Sequence, residues 1–135
     1  MQAFTKIQVA TTSLFQARDA FLRGDYISST ILAGAAQQIV RDICKSRGVE
    51  PTIKTISKVS GHSGKLVHEL VTDAYNKMKH ADLDPNEIVE VSSDEPQVLM
   101  TLAVTDLIRL REIKEHSELV GFVEKFKSSQ PPSPP

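Results

Sequence analysis

Residues 26–46 read YISSTILAGAAQQIVRDICKS, and this stretch decides the fold class. It carries no proline, its apolar residues recur at helical spacing, and it is the most apolar of the predicted helices. Its centre, Ser28 to Ala36, is rich in small residues three and four apart, which lets a neighbouring helix approach closely. The segment therefore reads as the central helix of a bundle, capped at its start by Asp25 and closed by Arg47-Gly48. Gly34 in its middle has two readings, close helix packing or room for a ligand, and close packing is the simpler one. Cys44 lies in the apolar run from Ile39, where a buried thiol packs as a small hydrophobe.

Working outward, Phe4, Ile7, Leu14, Phe15, Ala17, Phe21 and Leu22 mark a first helix over 2–22, closed by Arg23-Gly24. Downstream, Ile53, Ile56 and Val59 share one side of a short helix over 52–59, and 61–64 is a loop. A helix over 64–80 is expected to bury Leu66, Val67, Leu70, Val71, Ala74 and Met78 and stops before Pro85, which disfavours helical geometry at Asp84. Ile88, Val89 and Val91 suit a short extended piece, which by itself makes no sheet. Asp94-Glu95-Pro96 opens another helix running to about 115, and Ser117 opens a last one. The predicted fold is all-α: a single domain over 1–127, an up-and-down bundle of four to five main helices. Residues 128–135, SSQPPSPP, form a Pro/Ser-rich tail expected to be disordered. Its PxxP spacing fits an aromatic groove, although a solvated tail is the commoner meaning.

The composition excludes several classes. A chain of 135 residues suits one domain, and 40% apolar with 24% charged residues suits a folded one. Sixteen basic against seventeen acidic residues give a formal charge of −1. That balance removes the general electrostatic argument for nucleic acid and leaves only a local patch. One cysteine rules out a disulfide framework and a multi-thiolate metal site. With no 18-residue apolar run, no membrane association is expected, and a reduced cytoplasmic setting is the simplest reading.

Most catalytic signatures fail. Gly61-His62-Ser63-Gly64-Lys65-Leu66 has two residues between its glycines where a phosphate loop needs four, and Leu66 where it needs Ser or Thr. His62, His68, His80 and His116 form no i, i+4 pair, so no metal and no cofactor are expected. No nucleophile-elbow pattern occurs. The informative cluster is Asp73-Ala74-Tyr75-Asn76-Lys77-Met78-Lys79-His80-Ala81-Asp82. On a helix, Asn76 and His80 stand one turn apart with Asp73 near their face. Lys77 and Lys79 flank it and are expected to point away from Tyr75. A near-neutral histidine beside amide and ammonium donors can shuttle a proton while the donors steady phosphate charge. Equally, His80 and Lys79 near a helix C-terminus simply complement its dipole, and Asp82 can pair with either.

Asn76-x-x-Lys79-His80-Ala81-Asp82, closing a helix that follows the Leu32-Ala33-Gly34-Ala35-Ala36 helix, resembles the HEPN (higher eukaryotes and prokaryotes nucleotide-binding) superfamily, in particular its small bacterial members. The resemblance covers about residues 3–115. It implies a helical bundle, commonly a homodimer, whose active members form a metal-independent ribonuclease site where two subunits' motif helices meet. The family motif runs arginine, polar residue, three positions, histidine. Asn76 and His80 match the last two, but Tyr75 stands at the arginine position, where a hydroxyl offers one hydrogen bond and no charge. The resulting expectation is a non-catalytic module binding nucleotide, RNA or a protein partner. The alternative is an endoribonuclease with His80 and Asn76 as catalytic residues and Tyr75, Lys79, Asp73 and Asp82 as binding residues.

Overall fold

Helix ends, rather than apolar spacing, set the element boundaries. Thr5 and Gln8 form a capping box: the Thr5 hydroxyl accepts from Gln8 N–H at 3.1 Å, and the Gln8 side-chain carbonyl accepts from Thr5 N–H at 2.8 Å. The first helix therefore starts at Lys6 rather than residue 2, and Phe4 stays outside it and exposed. A computed structural model describes residues 1–80 and 84–128. Its helices are α1 (Lys6–Leu22), α2 (Tyr26–Ser46), α3 (Thr52–Ser60), α4 (Gly64–Lys79), α5 (Asp94–Arg109) and α6 (Glu118–Ser128). No strand occurs among the described residues; 88–91 is irregular, with Ile88 exposed. The fold is an all-helical bundle. Ser128 closes α6 rather than opening the tail, and 129–135 lie outside the described residues, as does Asp82.

Three helices end in the same hydrogen-bonded reversal. After α1, Gly24 N–H donates to Phe21 C=O and Asp25 N–H to Ala20 C=O. After α2, Gly48 and Val49 repeat the pattern onto Lys45 and Cys44. After α5 the left-handed position is held by Arg111, at φ 59°, with Arg111 N–H on Ile108 C=O and Glu112 N–H on Leu107 C=O. This reversal stops α5 at Arg109, short of the expected 115, and Ile113 reaches the core from the segment beyond it.

α2 is the central helix. Its most extensive packing is against α1, then α5. Leu14 and Ala17 of α1, Ala33, Ala36 and Val40 of α2, and Leu99, Ala103 and Leu107 of α5 are fully buried together. The Ser29 hydroxyl, also buried, donates to Ala17 C=O at 2.8 Å and ties α2 to α1. α6 is held over the α1–α2 turn by an aromatic cluster of Phe21, Tyr26, Phe122 and Phe126, with ring centroids 5.0–5.9 Å apart. Cys44 is buried, and burial pushes its thiol up to about 11.

α3 borrows its N-cap from α5. Pro51 offers no side-chain cap. The buried Asp106 carboxylate instead accepts from Thr52 N–H at 2.8 Å and from its hydroxyl at 2.6 Å. Burial raises the Asp106 pKa, with the two Thr52 hydrogen bonds pulling the other way. Arg109 adds hydrogen bonds to Glu50 C=O and the Thr55 hydroxyl. The apolar side of α3 is covered only at Ile53; Ile56 and Val59 are exposed.

Candidate functional site

α4 meets α2 through a ring on a glycine. A Cβ added at Gly34 would fall 2.3 Å from the Tyr75 ring, so the ring lies directly on the α2 backbone. Gly34 thus serves close packing. Tyr75 is half-buried, and burial raises its pKa. Lys79, four residues on, lies on the same side: its Nζ sits 4.6 Å from the Tyr75 ring centre and donates to Gln38 Oε1 at 3.3 Å. The expectation that Lys79 points away from Tyr75 is corrected, because i and i+4 share a helix face.

Below that contact, α2 and α4 enclose a polar cavity of about 50 Å³, lined by Gln37, Arg41, His68, Thr72, Asn76 and Lys79 among others. Asn76 Nδ2 donates to the Thr72 hydroxyl at 3.0 Å, and that hydroxyl donates to His68 C=O at 2.7 Å. Arg41 Nη1 lies 2.7 and 2.9 Å from the two ring nitrogens of His68 and donates to the ring nitrogen that carries no proton. Burial, then the Arg41 and Lys45 charges, hold His68 below its ordinary pKa, which keeps the ring neutral near pH 7. Gln37 Nε2 and Arg41 Nε are buried with no hydrogen-bond partner.

Arg41 and His68 also line a second, larger space. The end of α2, the start of α3 and the start of α4 bound a groove of about 890 Å³. Val49, Pro51 and Ile53 supply apolar surface, and Arg41, Lys45, Lys54, Lys58 and Lys65 supply cations against a single carboxylate, Glu50. Glu50 is paired with Lys58 and bonded by the Thr55 hydroxyl, and these contacts lower its pKa. The chain's formal charge of −1 conceals this patch. No family model, curated protein or solved structure matches this chain.

The sequence-predicted residues divide between two places. Tyr75, Asn76 and Lys79 face α2 and the cavity. Asp73 is exposed and pairs with Lys77 at 3.2 Å; Lys77 also reaches Glu87 at 3.4 Å, and these bonds raise its pKa, the Asp73 hydrogen bond first. His80 is the exposed C-cap of α4, with backbone φ −110° and ψ 60°, and its N–H donates to Asn76 C=O. His80 thus keeps the last helical bond above Asn76, and the chain leaves the helix after it. Gln37, Arg41, Lys45, Lys54, Lys58 and His68 were not among the predicted site residues. Their signal is i, i+4 spacing: 37-41-45 on α2, 54-58 on α3, and 68-72-76 on α4. Among the described residues no group of three or more His, Cys, Asp or Glu could hold a metal ion, and no helix is long and apolar enough to cross a membrane.

Proposed function

We propose that this chain is a HEPN-like helical module that binds RNA or its nucleotides without cleaving them. The observation that carries the reading is the groove between α2, α3 and α4, where five cations face one carboxylate over an apolar floor. Cations take phosphate charge, and an apolar floor suits a base or ribose face. The resemblance of the Asn76–Asp82 segment to the superfamily points to the same ligand class and adds a homodimer to the reading.

Two features favour binding over cleavage. Tyr75 occupies the arginine position of the family motif and its ring is committed to Gly34. Asn76 turns its amide to Thr72, away from the exposed His80. At the family motif itself, no arginine stands beside His80 to hold the phosphate whose bond would break.

The test is binding of a fluorescent single-stranded RNA, in EDTA, across a salt series. Affinity is expected to fall with salt, with a log–log slope of roughly −0.7 per phosphate contact. Lys45→Glu/Lys54→Glu should weaken it by about tenfold or more, and the RNA should remain intact with wild type and His80→Ala alike. Salt-independent binding unaffected by the double reversal would sink the groove reading. Cleavage by wild type but not His80→Ala would replace it with the endoribonuclease. Sedimentation across a concentration range tests the homodimer.

A further inference from the structure

The α2–α4 cavity has a chemical composition that its packing role does not explain. Gln37 is 1% exposed, yet its Nε2 donates to nothing. Arg41 Nε is also buried without a hydrogen bond, although it is ion-paired with the Asp42 carboxylate at 3.6 Å. Buried donors of this kind are costly unless something accepts from them. Lys79 brings a second cation to the cavity mouth, and no carboxylate lines it. Orphaned donors and two cations, in a lining without a carboxylate, describe a place for an anion.

Size and connection narrow the anion. About 50 Å³ is room for a few waters, each taking roughly 10–15 Å³ by this measure, or for one tetrahedral oxyanion. Donors come from both helices, which suits an anion with oxygens on several sides: Gln37 and Arg41 from α2, Asn76 and Lys79 from α4. Arg41 and His68 belong to both the cavity and the basic groove, so the two spaces adjoin. About 50 Å³ has no room for the second sugar that an internucleotide phosphate carries, so the group that suits the cavity is a monoester at the end of its molecule.

We propose that the α2–α4 cavity is a subsite for a terminal phosphate monoester, with Gln37 and Arg41 as its inner donors and Lys79 at its mouth. That the rest of the ligand is RNA or a nucleotide rests on the groove reading above. The subsite makes the protein a reader of strand ends, preferring a phosphorylated terminus to a hydroxyl one.

The experiment compares one short RNA in three forms, 5′-phosphorylated, 3′-phosphorylated and unphosphorylated, with inorganic phosphate as a separate probe. One phosphorylated form is expected to bind about tenfold more tightly than the unphosphorylated one, the scale of one or two charge-assisted hydrogen bonds. Gln37→Leu, which keeps the buried volume, and Lys79→Gln, at the exposed mouth, should each erase that ratio. Lys54→Glu in the groove should weaken all three forms together and leave the ratio intact. Equal binding of the three forms by wild type overturns the subsite. If no form binds, the RNA reading fails and inorganic phosphate decides: a rise in wild-type melting temperature over chloride of equal ionic strength, absent in both variants, keeps the subsite, and no rise overturns it.

Discussion

α2 has two seams of opposite character. Toward α1 it presents Ala33 and Ala36 to Leu14 and Ala17, all fully buried, and the buried hydroxyl of Ser29 is satisfied by Ala17 C=O. Toward α4 it presents Gly34, Gln37 and Arg41, and the seam holds a ring on a glycine, a polar cavity and two buried donors without acceptors. The first seam is what stability alone selects: dry and close, with the Ser29 hydroxyl bonded. The second gives up stability. The proposed anion subsite draws on the orphaned donors of this second seam, and the contrast within one helix is what that proposal turns on.

The comparison breaks most visibly through its dry side. Leu14→Ala should cost about 3 kcal/mol in urea unfolding, since Leu14 is fully buried at the centre of the core. A cost under ~1 kcal/mol would mean that α1 carries little of the fold. Gly34→Ala comes next. Alanine is the better helix former, but its Cβ would meet the Tyr75 ring, so a loss of about 1–3 kcal/mol is expected. Hydrogen exchange should quicken in α4 and not in α1; a stabilised variant would show that the ring has room to move.

Sign separates the seams more sharply than size. Ser29→Ala removes a satisfied hydroxyl and should lose about 0.5–1 kcal/mol. Gln37→Leu removes an orphaned amide and should gain up to about 1 kcal/mol in ligand-free protein. Changes of the same sign would erase the distinction.

The smallest effect is a pH slope. His68 has a folded pKa below its ordinary 6.5, so below that pH the unfolded chain takes up a proton that the folded one resists. Stability should be full above about 6.5 and fall as pH drops from there toward the folded pKa. His68→Gln should flatten that part of a stability-against-pH curve, and an unchanged slope would assign it to other groups.

Much of the dry side was legible in the sequence. Small residues in α2, the Asp25 cap and the glycines after α1 and α2 act locally, and each marks its element directly. Where the reading ran long, a less familiar local device was at work. Thr5-x-x-Gln8 starts α1 late. Arg111 in a left-handed conformation ends α5 where a glycine would have announced the stop. The polar side was harder to read because its parts are distant in sequence. Arg41, Lys54 and Lys65 converge only once three helices are packed, and a whole-chain charge near zero hides their local excess. Tyr75 and Lys79 stood together in the sequence as i and i+4. What they lean on, Gly34, is 41 residues away from Tyr75 and required the fold.

The Tyr75 ring has a spectroscopic use. The chain has no tryptophan and two tyrosines. Tyr26 sits among the phenylalanines at the α1–α2 turn, and Tyr75 sits in the α2–α4 seam beside a lysine ammonium. Tyr26→Phe leaves Tyr75 as the sole emitter at excitation wavelengths that phenylalanine does not absorb. Its intensity would then follow that one seam through titration, unfolding or ligand addition, with no dye and no added residue.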